Sequence, residues 1–327
     1  MHYGGSVKAL QGVEGQVEWV QRPTPACDVG EVRIRVAAAG LNRADLLQRA
    51  GLYPPPLGAS DILGLECAGV VSEVGAGCDW QVGDRVCALL AGGGLAEDVV
   101  VDARHVLPVP EGLSLHEAAG LPEVYATAWL NLFQLAGLKP GEKVLLHAGA
   151  SGVGSAAIQL CKAFGSACWV TVGSADRLAY CESLGASGGA IRGSDGLDVP
   201  DDFGPFEVIL DPVGASYAAL NLKLLVIDGR WVNIGLMGGR KAELDMALLL
   251  GKRIQLIGST LRNRDDLFKA ELLRDLRQHV WPLFSEGRLK PQLARRFPIA
   301  EAQEAYATLE GNQVNGKLVL VIDDSLS

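Results

Sequence analysis

The stretch Gly149-Ala150-Ser151-Gly152-Val153-Gly154 has the residue types and spacing to cradle an anion. An apolar run, Val144 to His147, leads into it, and a small-residue helical pattern, Ser155 to Phe164, leads out. Strand, tight glycine turn and helix set the unpaired amides of a helix start against a phosphate, and glycines let the backbone come close. Ser151 stands where the middle glycine of G-x-G-x-x-G would be. The turn by itself therefore leaves a ligand-free βα turn open as a reading.

If the turn holds a dinucleotide, the end of the next strand decides which one. An NAD site places Asp or Glu there, on the ribose hydroxyl. Here the strand ends Val170-Thr171-Val172-Gly173-Ser174, without a carboxylate, and Arg177 follows at the helix start. Arg192 lies beyond the third short strand. Hydroxyl plus guanidinium suits a 2′-phosphate, which favours NADP(H). Asp176 either repels that phosphate or begins a helix whose N-terminus favours acids. Gly173 and Gly235 each end a strand, on the side where such sheets bind ligands. Gly235-Leu236-Met237-Gly238-Gly239 could approach a nicotinamide with backbone alone, or be an ordinary loop.

Other chemistries find less support. The histidines, His2, His105, His116, His147 and His279, are far apart with no H-x-x-x-H. None of the seven cysteines has a C-x-x-C partner, so neither a zinc ribbon nor a redox dithiol is expected. Reduced, mostly buried thiols of a cytoplasmic protein are expected instead. Glu66 beside Cys67 reads as a hydrogen-bonded carboxylate at a barrel turn rather than a metal ligand. No G-x-S-x-G elbow occurs.

The elements that must position these residues fall into two groups. A length of 327 residues suggests two domains, and 49% hydrophobic content allows a sizeable core. Net charge −9 with scattered basic residues argues against nucleic acid or an anionic membrane as partner. No signal peptide and no bilayer-spanning run is read. Met1 to Ser6 looks dispensable. Val7 to Val20, Glu31 to Ala38 and Ala96 to Val101 alternate like strands, and Asn42 to Arg49 has helical spacing. The glycine-punctuated stretch Gly64 to Val86 suggests a small, irregular β-barrel. Ser114 with Glu117 reads as a capping box. Helical patterns then run from Ala118 to Leu135, interrupted around Pro122. From Lys143, strands and helices alternate as in a parallel sheet covered on both faces. Leu267 to Phe284 reads as one long amphipathic helix. The apolar Gly316 to Ile322 needs pairing, for which the barrel is the better place.

Three ordered stretches make the chain recognisable: GLECAGVVSEVGAGCDWQVGDRV from Gly64 to Val86, the Gly149 turn, and the closing Gly316-Lys317-Leu318-Val319-Leu320. Together they resemble the medium-chain dehydrogenase/reductase superfamily over nearly the whole length. Within it the chain is similar to the zinc-free, zeta-crystallin-type quinone oxidoreductases, most of all the tumour-suppressor-inducible group. Leu41-Asn42-Arg43-Ala44-Asp45, Tyr53-Pro54-Pro55-Pro56, Gly64-Leu65-Glu66, His147-Ala148-Gly149 and Asp228 through Gly239 carry this narrower likeness. Where zinc alcohol dehydrogenases have a ligand Cys before the first helix, this chain has Asn42. Where they have His in G-H-E, it has Leu65, and their four-cysteine lobe has no counterpart near Ala91 to His105. With two ligands replaced, no catalytic zinc site is expected.

The resemblance implies a GroES-like irregular β-barrel catalytic domain, residues 1–119 and 267–327, and a Rossmann doubly wound cofactor domain, residues 120–266. It implies NADPH contacts at Tyr53, Ser151, Gly152, Val153, Gly173, Ser174, Arg177, Leu236, Met237, Gly238, Ser259, Thr260 and Leu261. Arg192, where family members often have Tyr or His, is expected to be neutral or helpful toward the 2′-phosphate. A homodimer through the last Rossmann strand, Arg253 to Gly258, is implied as well. The expected activity is hydride transfer from NADPH to a quinone held near Asn42, Asp45 and Tyr53, with no metal. Asn42 and Tyr53 are the candidate donors to the reduced oxygen and Asp45 orients its neighbours. As helix-start residues, Asn42 and Asp45 are equally well read as caps. No residue stands out as an obligatory acid. Reduction of activated carbon–carbon double bonds, with Tyr53 as proton source, and a non-catalytic, crystallin-like NADPH-binding role are the alternatives.

Overall fold

The computed structural model describes residues 5–13, 15–193, 196–200 and 203–326. Met1 to Gly4, part of the stretch expected to be dispensable, lie outside them. Ser6 is not dispensable in this sense: it pairs with Pro23 in a β-hairpin. The chain divides into two compact units, residues 1–126 with 261–327, and residues 127–260.

In the first unit a sheet of short strands, antiparallel except for the parallel pair Leu293–Pro298 and Lys317–Val321, curls around an apolar core. Among the described residues its order is Leu293–Pro298, Lys317–Val321, Glu31–Gly40, Glu66–Val74, Arg85–Leu89 and Val106–Pro108, with Asp98–Asp102 also on Glu31–Gly40. Ile34, Val36, Val71, Val86, Phe297, Tyr306, Leu318 and Leu320 fill the interior. An added Cβ at Gly69 would collide with the Arg35 carbonyl, which is why the strand pair tolerates only glycine there. As expected, the apolar strand near the C-terminus pairs in this sheet, its Leu320 opposite Ala39. Val7 to Val20 is a hairpin, Ser6–Val13 with Gln16–Pro23, rather than one strand. The expected helix from Leu267 to Phe284 ends at His279, and Pro282 opens a separate short turn.

In the second unit the sheet order is Gly196–Asp198, Gly188–Gly193, Ala167–Val172, Lys143–His147, Phe206–Asp211, Leu225–Asn233 and Gln255–Gly258. Every pairing is parallel except that of Gly188–Gly193 with Gly196–Asp198. The central strand is covered on both faces, so Val144, Leu145 and Leu146 have no solvent exposure and the sequence there is continuously apolar. Helix Gly152–Ala163 packs on it through Ala156, Ala157, Ile158 and Leu160. This is the expected Rossmann arrangement, and the first unit is the expected GroES-like barrel.

Candidate active site

The glycine turn of the second unit is fixed from both sides. Ser151 caps helix Gly152–Ala163, its Oγ accepting from the Gly154 amide at 3.1 Å. An added Cβ at Gly154 would collide with the carbonyls of Gly149 and Ala148. The turn is thus closed as tightly as backbone allows, and the Gly152 and Val153 amides precede the helix's first internal acceptor. Beneath it lies a buried network. His147 meets Thr171 Oγ1 at 3.0 Å and Asn221 Oδ1 at 2.8 Å. Asn221 Nδ2 donates to Asp211 Oδ2 at 2.9 Å. Asn221 Oδ1 must therefore accept, so His147 carries its proton on Nε2. Burial holds the His147 pKa below its usual value, keeping the ring neutral. Asp211 also accepts from the amides of Val213 and Gly214 at 2.7 and 2.9 Å and from Trp231 Nε1 at 3.0 Å. One set of side chains thereby ties down the carboxyl ends of three strands.

Farther along the same edge, Ser174 caps helix Ala175–Leu184 and accepts from the Arg177 amide at 3.4 Å. Arg177 Nη1 and Arg192 Nη2 lie 3.7 and 3.9 Å from the point a Cβ on Gly173 would occupy. Two guanidiniums thus converge over a bare glycine, and the Tyr217 hydroxyl bonds to one of them, Arg192. A cradle of two guanidiniums and a capping hydroxyl fits a phosphate monoester. Asp176 sits in the first helical turn.

The loop Leu236–Gly238 packs by backbone on the strand ends, Met237 N to Pro212 O at 3.3 Å and Gly238 N to Val213 O at 2.7 Å. Leu236 and Met237 stay 53% and 51% exposed. Ser259 Oγ is buried without a hydrogen-bond partner among the described residues, the kind of atom a bound polar group would satisfy. Thr260 follows it, exposed, and Leu261 is buried at the start of the return to the first unit.

In the first unit Asn42, Asp45 and Tyr53 take different positions. Asp45 is wholly buried and bonds backbone amides only, Asn42 N at 2.8 Å and Gly64 N at 3.3 Å. Burial pushes its carboxyl up to about 6. The Asn42 amide is engaged on both sides: Lys317 Nζ donates to its Oδ1 at 2.5 Å, and its Nδ2 donates to Glu66 Oε1 at 3.0 Å. Glu66, fully buried, also receives Lys317 Nζ at 2.5 Å and the Glu123 amide at 3.0 Å. An added Cβ on Gly40 would strike Glu66, and one on Gly120 would strike Lys317, so two glycines make room for the pair. Tyr53 is half-buried in its proline-rich loop. Arg262 holds that loop, donating to Tyr53 O at 3.2 Å, Ala91 O at 2.8 Å and Gln48 Oε1 at 2.6 Å, with its guanidinium 5.2 Å from the Tyr53 ring centroid. Among the described residues no three His, Cys, Asp or Glu side chains form a metal cage.

Residues 28–111 match the family model of the alcohol dehydrogenase GroES-like domain, and residues 152–275 that of the zinc-binding dehydrogenases. The human synaptic vesicle membrane protein VAT-1 homolog is 33% identical over 334 residues, 94% of this chain and 83% of that protein. The chain belongs to the medium-chain dehydrogenase/reductase superfamily. Asn42 and the buried Leu65 stand at the two exchanged ligand positions. A *Streptomyces halstedii* polyketide synthase, GfsB, is 34% identical over 311 residues, 95% of this chain, and the chain spans only 5% of its length. Among solved structures, a *Pseudomonas syringae* quinone oxidoreductase superposes with TM-score 0.84 at 28% identity, covering 97% of this chain and 100% of that one. The CurK enoyl reductase gives 0.81 at 29%, covering 97% and 99%. A mycobacterial protein complexed with NADPH gives 0.84 at 25%, covering 97% and 100%.

Three site residues escape a reading of the sequence. Lys317 sits in a motif that reads only as a closing strand. Arg262 looks like half of a scattered basic pair. Glu123 is the acid within an apolar stretch just after Pro122, and that isolation was the available signal.

Proposed function

We propose that this medium-chain reductase uses NADPH to reduce a quinone. The observation that carries the cofactor choice is the convergence of Arg177 and Arg192 on Gly173, where NAD sites have a carboxylate. When bound, NADPH supplies the hydride. The chain supplies position and polarity: Gly152 and Val153 amides for the pyrophosphate, Ser174, Arg177 and Arg192 for the 2′-phosphate, Leu236 to Gly238 and Ser259 to Leu261 for the nicotinamide end. Tyr53 presents its hydroxyl to the acceptor oxygen. Asn42 and Asp45 act one step back, Asn42 by holding Lys317 and Glu66, Asp45 by holding the backbone at Asn42 and Gly64.

The second reading, reduction of an activated double bond, is favoured by the likeness to an enoyl reductase. It uses the same cofactor and requires a proton at carbon. The chain pairs as a homodimer through its edge strand Gln255–Gly258, where Leu256 is 46% exposed, in this proposal. Its free thiols suit the reducing cytoplasm. NADPH and NADH oxidation with a panel of quinones and enones tests the assignment. Quinone-dependent oxidation preferring NADPH supports it, and activity with enones alone transfers it to the second reading. Tight NADPH binding with no acceptor reduced would leave the non-catalytic role.

A further inference from the structure

We propose that Cys27 and Cys78 are a preformed thiol pair that closes to a disulfide by exchange with a small disulfide such as oxidised glutathione. The inference goes beyond the reductase reading and does not rest on it. Both residues belong to the first unit. Cys27 Sγ donates to the Glu31 carbonyl at 3.4 Å, and Cys78 Sγ donates to the same oxygen at 3.4 Å. The two sulfurs are therefore no farther apart than twice that distance. Spacing along the chain gives no sign of them, because one precedes strand Glu31–Gly40 and the other follows strand Glu66–Val74. The antiparallel pairing of those strands, Val32 opposite Val74, brings the flanking loops together.

The backbone beneath the pair is fixed. Gly75 N donates to Glu31 O at 2.8 Å, and Gly30 N to Ala76 O at 3.0 Å. An added Cβ on Gly75 would collide with the carbonyls of Asp28 and Glu31, so glycine there lets the two loops approach. The Gly75 amide also keeps the Glu31 carbonyl satisfied after both thiols leave it, so oxidation strands no acceptor. Access separates this pair from the other thiols. Cys67, Cys87, Cys161, Cys168 and Cys181 are buried. Cys27 and Cys78 are partly exposed, each beside exposed neighbours, Ala26 and Asp28 for one and Gly77 and Asp79 for the other. Among the described residues no third His, Cys, Asp or Glu side chain completes a metal cage with them, which leaves the pair to thiol chemistry.

The step balances with oxidised glutathione as the oxidant. One thiol of the pair loses its proton and attacks a glutathione sulfur. The glutathione S–S bond breaks, a mixed disulfide forms, and the first glutathione leaves with that proton. The second thiol attacks the protein sulfur of the mixed disulfide. The Cys27–Cys78 bond forms, and the second glutathione leaves with the second proton. The protein gives up two electrons and the glutathione disulfide takes them. Burial, and the Glu73 carboxylate after it, raise the Cys27 thiol above its ordinary value, so the exchange is slow at neutral pH and is read at equilibrium.

The test equilibrates the full-length protein in an oxidising glutathione buffer or in dithiothreitol, quenches with acid, alkylates the remaining thiols after unfolding, and maps them by mass spectrometry. Cleavage at Glu73 separates Cys67 from Cys78. Oxidised wild type should show Cys27 linked to Cys78, the buried thiols alkylated and no bound glutathione, and dithiothreitol should reverse the link. In Cys27→Ser or Cys78→Ser the link should vanish and the remaining thiol of the pair should carry one glutathione. The linked wild type should melt about 5 °C or more above the reduced form. Wild type that carries glutathione on either thiol without a link, or that keeps both as free as in dithiothreitol, overturns the proposal. So does a linked form that melts no higher than the reduced one, since a preformed pair closes without strain.

Discussion

Lys317 and Glu66 form an ion pair at 2.5 Å with side chains 8% and 0% exposed, and Asn42 bridges the two. Residues at opposite ends of the chain are joined here by the pairing of strand Lys317–Val321 with Glu31–Gly40, which in turn pairs with Glu66–Val74. An ion pair this deep is costly to break and gains its value from being complete.

Removing one partner therefore costs more than removing both. Lys317→Met leaves Glu66 charged and buried, and should destabilise the protein by about 3–5 kcal/mol. Adding Glu66→Gln should recover part of that loss. Urea denaturation of the two single variants and the double variant closes the cycle.

Stability should fall as pH rises from about 4.5 toward about 8, because Glu123 in the folded protein keeps its proton where the unfolded chain has lost it. The stability is fully present below the unfolded value and its loss is complete above the folded one. Glu123→Gln has no proton to lose, so its curve should be flatter and should cross above wild type by pH 8. The residue as a whole is only partly buried, so the gain at pH 8 should be on the order of 2 kcal/mol, less than the whole shift implies. Asp45 adds a smaller decline of the same sign between about 4 and about 6. Thermal denaturation across this range measures both.

Arg177→Ala and Arg192→Ala should each weaken NADPH binding by roughly tenfold to a hundredfold, the value of a charge-assisted phosphate bond, and leave NADH binding nearly unchanged. Quenching titrations with both nucleotides decide it. Equal losses for the two would mean that the guanidiniums do not meet the 2′-phosphate.

Gly154→Ala drives a methyl group into the Gly149 and Ala148 carbonyls. Backbone has to move, so the loss should be about 1–3 kcal/mol of stability, with nucleotide affinity falling alongside it. Calorimetry with and without NADPH separates the two effects.

What was legible in the sequence was what is local. The Gly149 turn announces itself because an apolar strand, a glycine turn and a helix follow one another without interruption. Ser114 and Glu117 cap each other as read, Ser114 N donating to Glu117 Oε2 at 2.9 Å. The break at Pro282 was hidden because the apolar period of the preceding helix continues through it, and proline opens the next turn as easily as it ends the last. The hairpin at Ser6–Pro23 was hidden because alternation does not change across a tight turn. Glu66 could be read singly as a hydrogen-bonded carboxylate, but not its meeting with Glu123 and Lys317. Glu66, Glu123 and Lys317 belong to separate elements, and only sheet pairing brings their charges together.

The first unit is interrupted in the chain by the second, and its sheet is completed by Lys317–Val321. On the ribosome, residues 127–260 can fold as soon as they emerge, while the earlier barrel strands wait for a partner still to be synthesised. The barrel must therefore stay open until the far end of the chain arrives. Its last strand brings an ammonium group as well as hydrogen bonds. Geometric closure and charge compensation are one event, and a nascent chain stalled before Lys317 holds three carboxyls that it cannot yet bury.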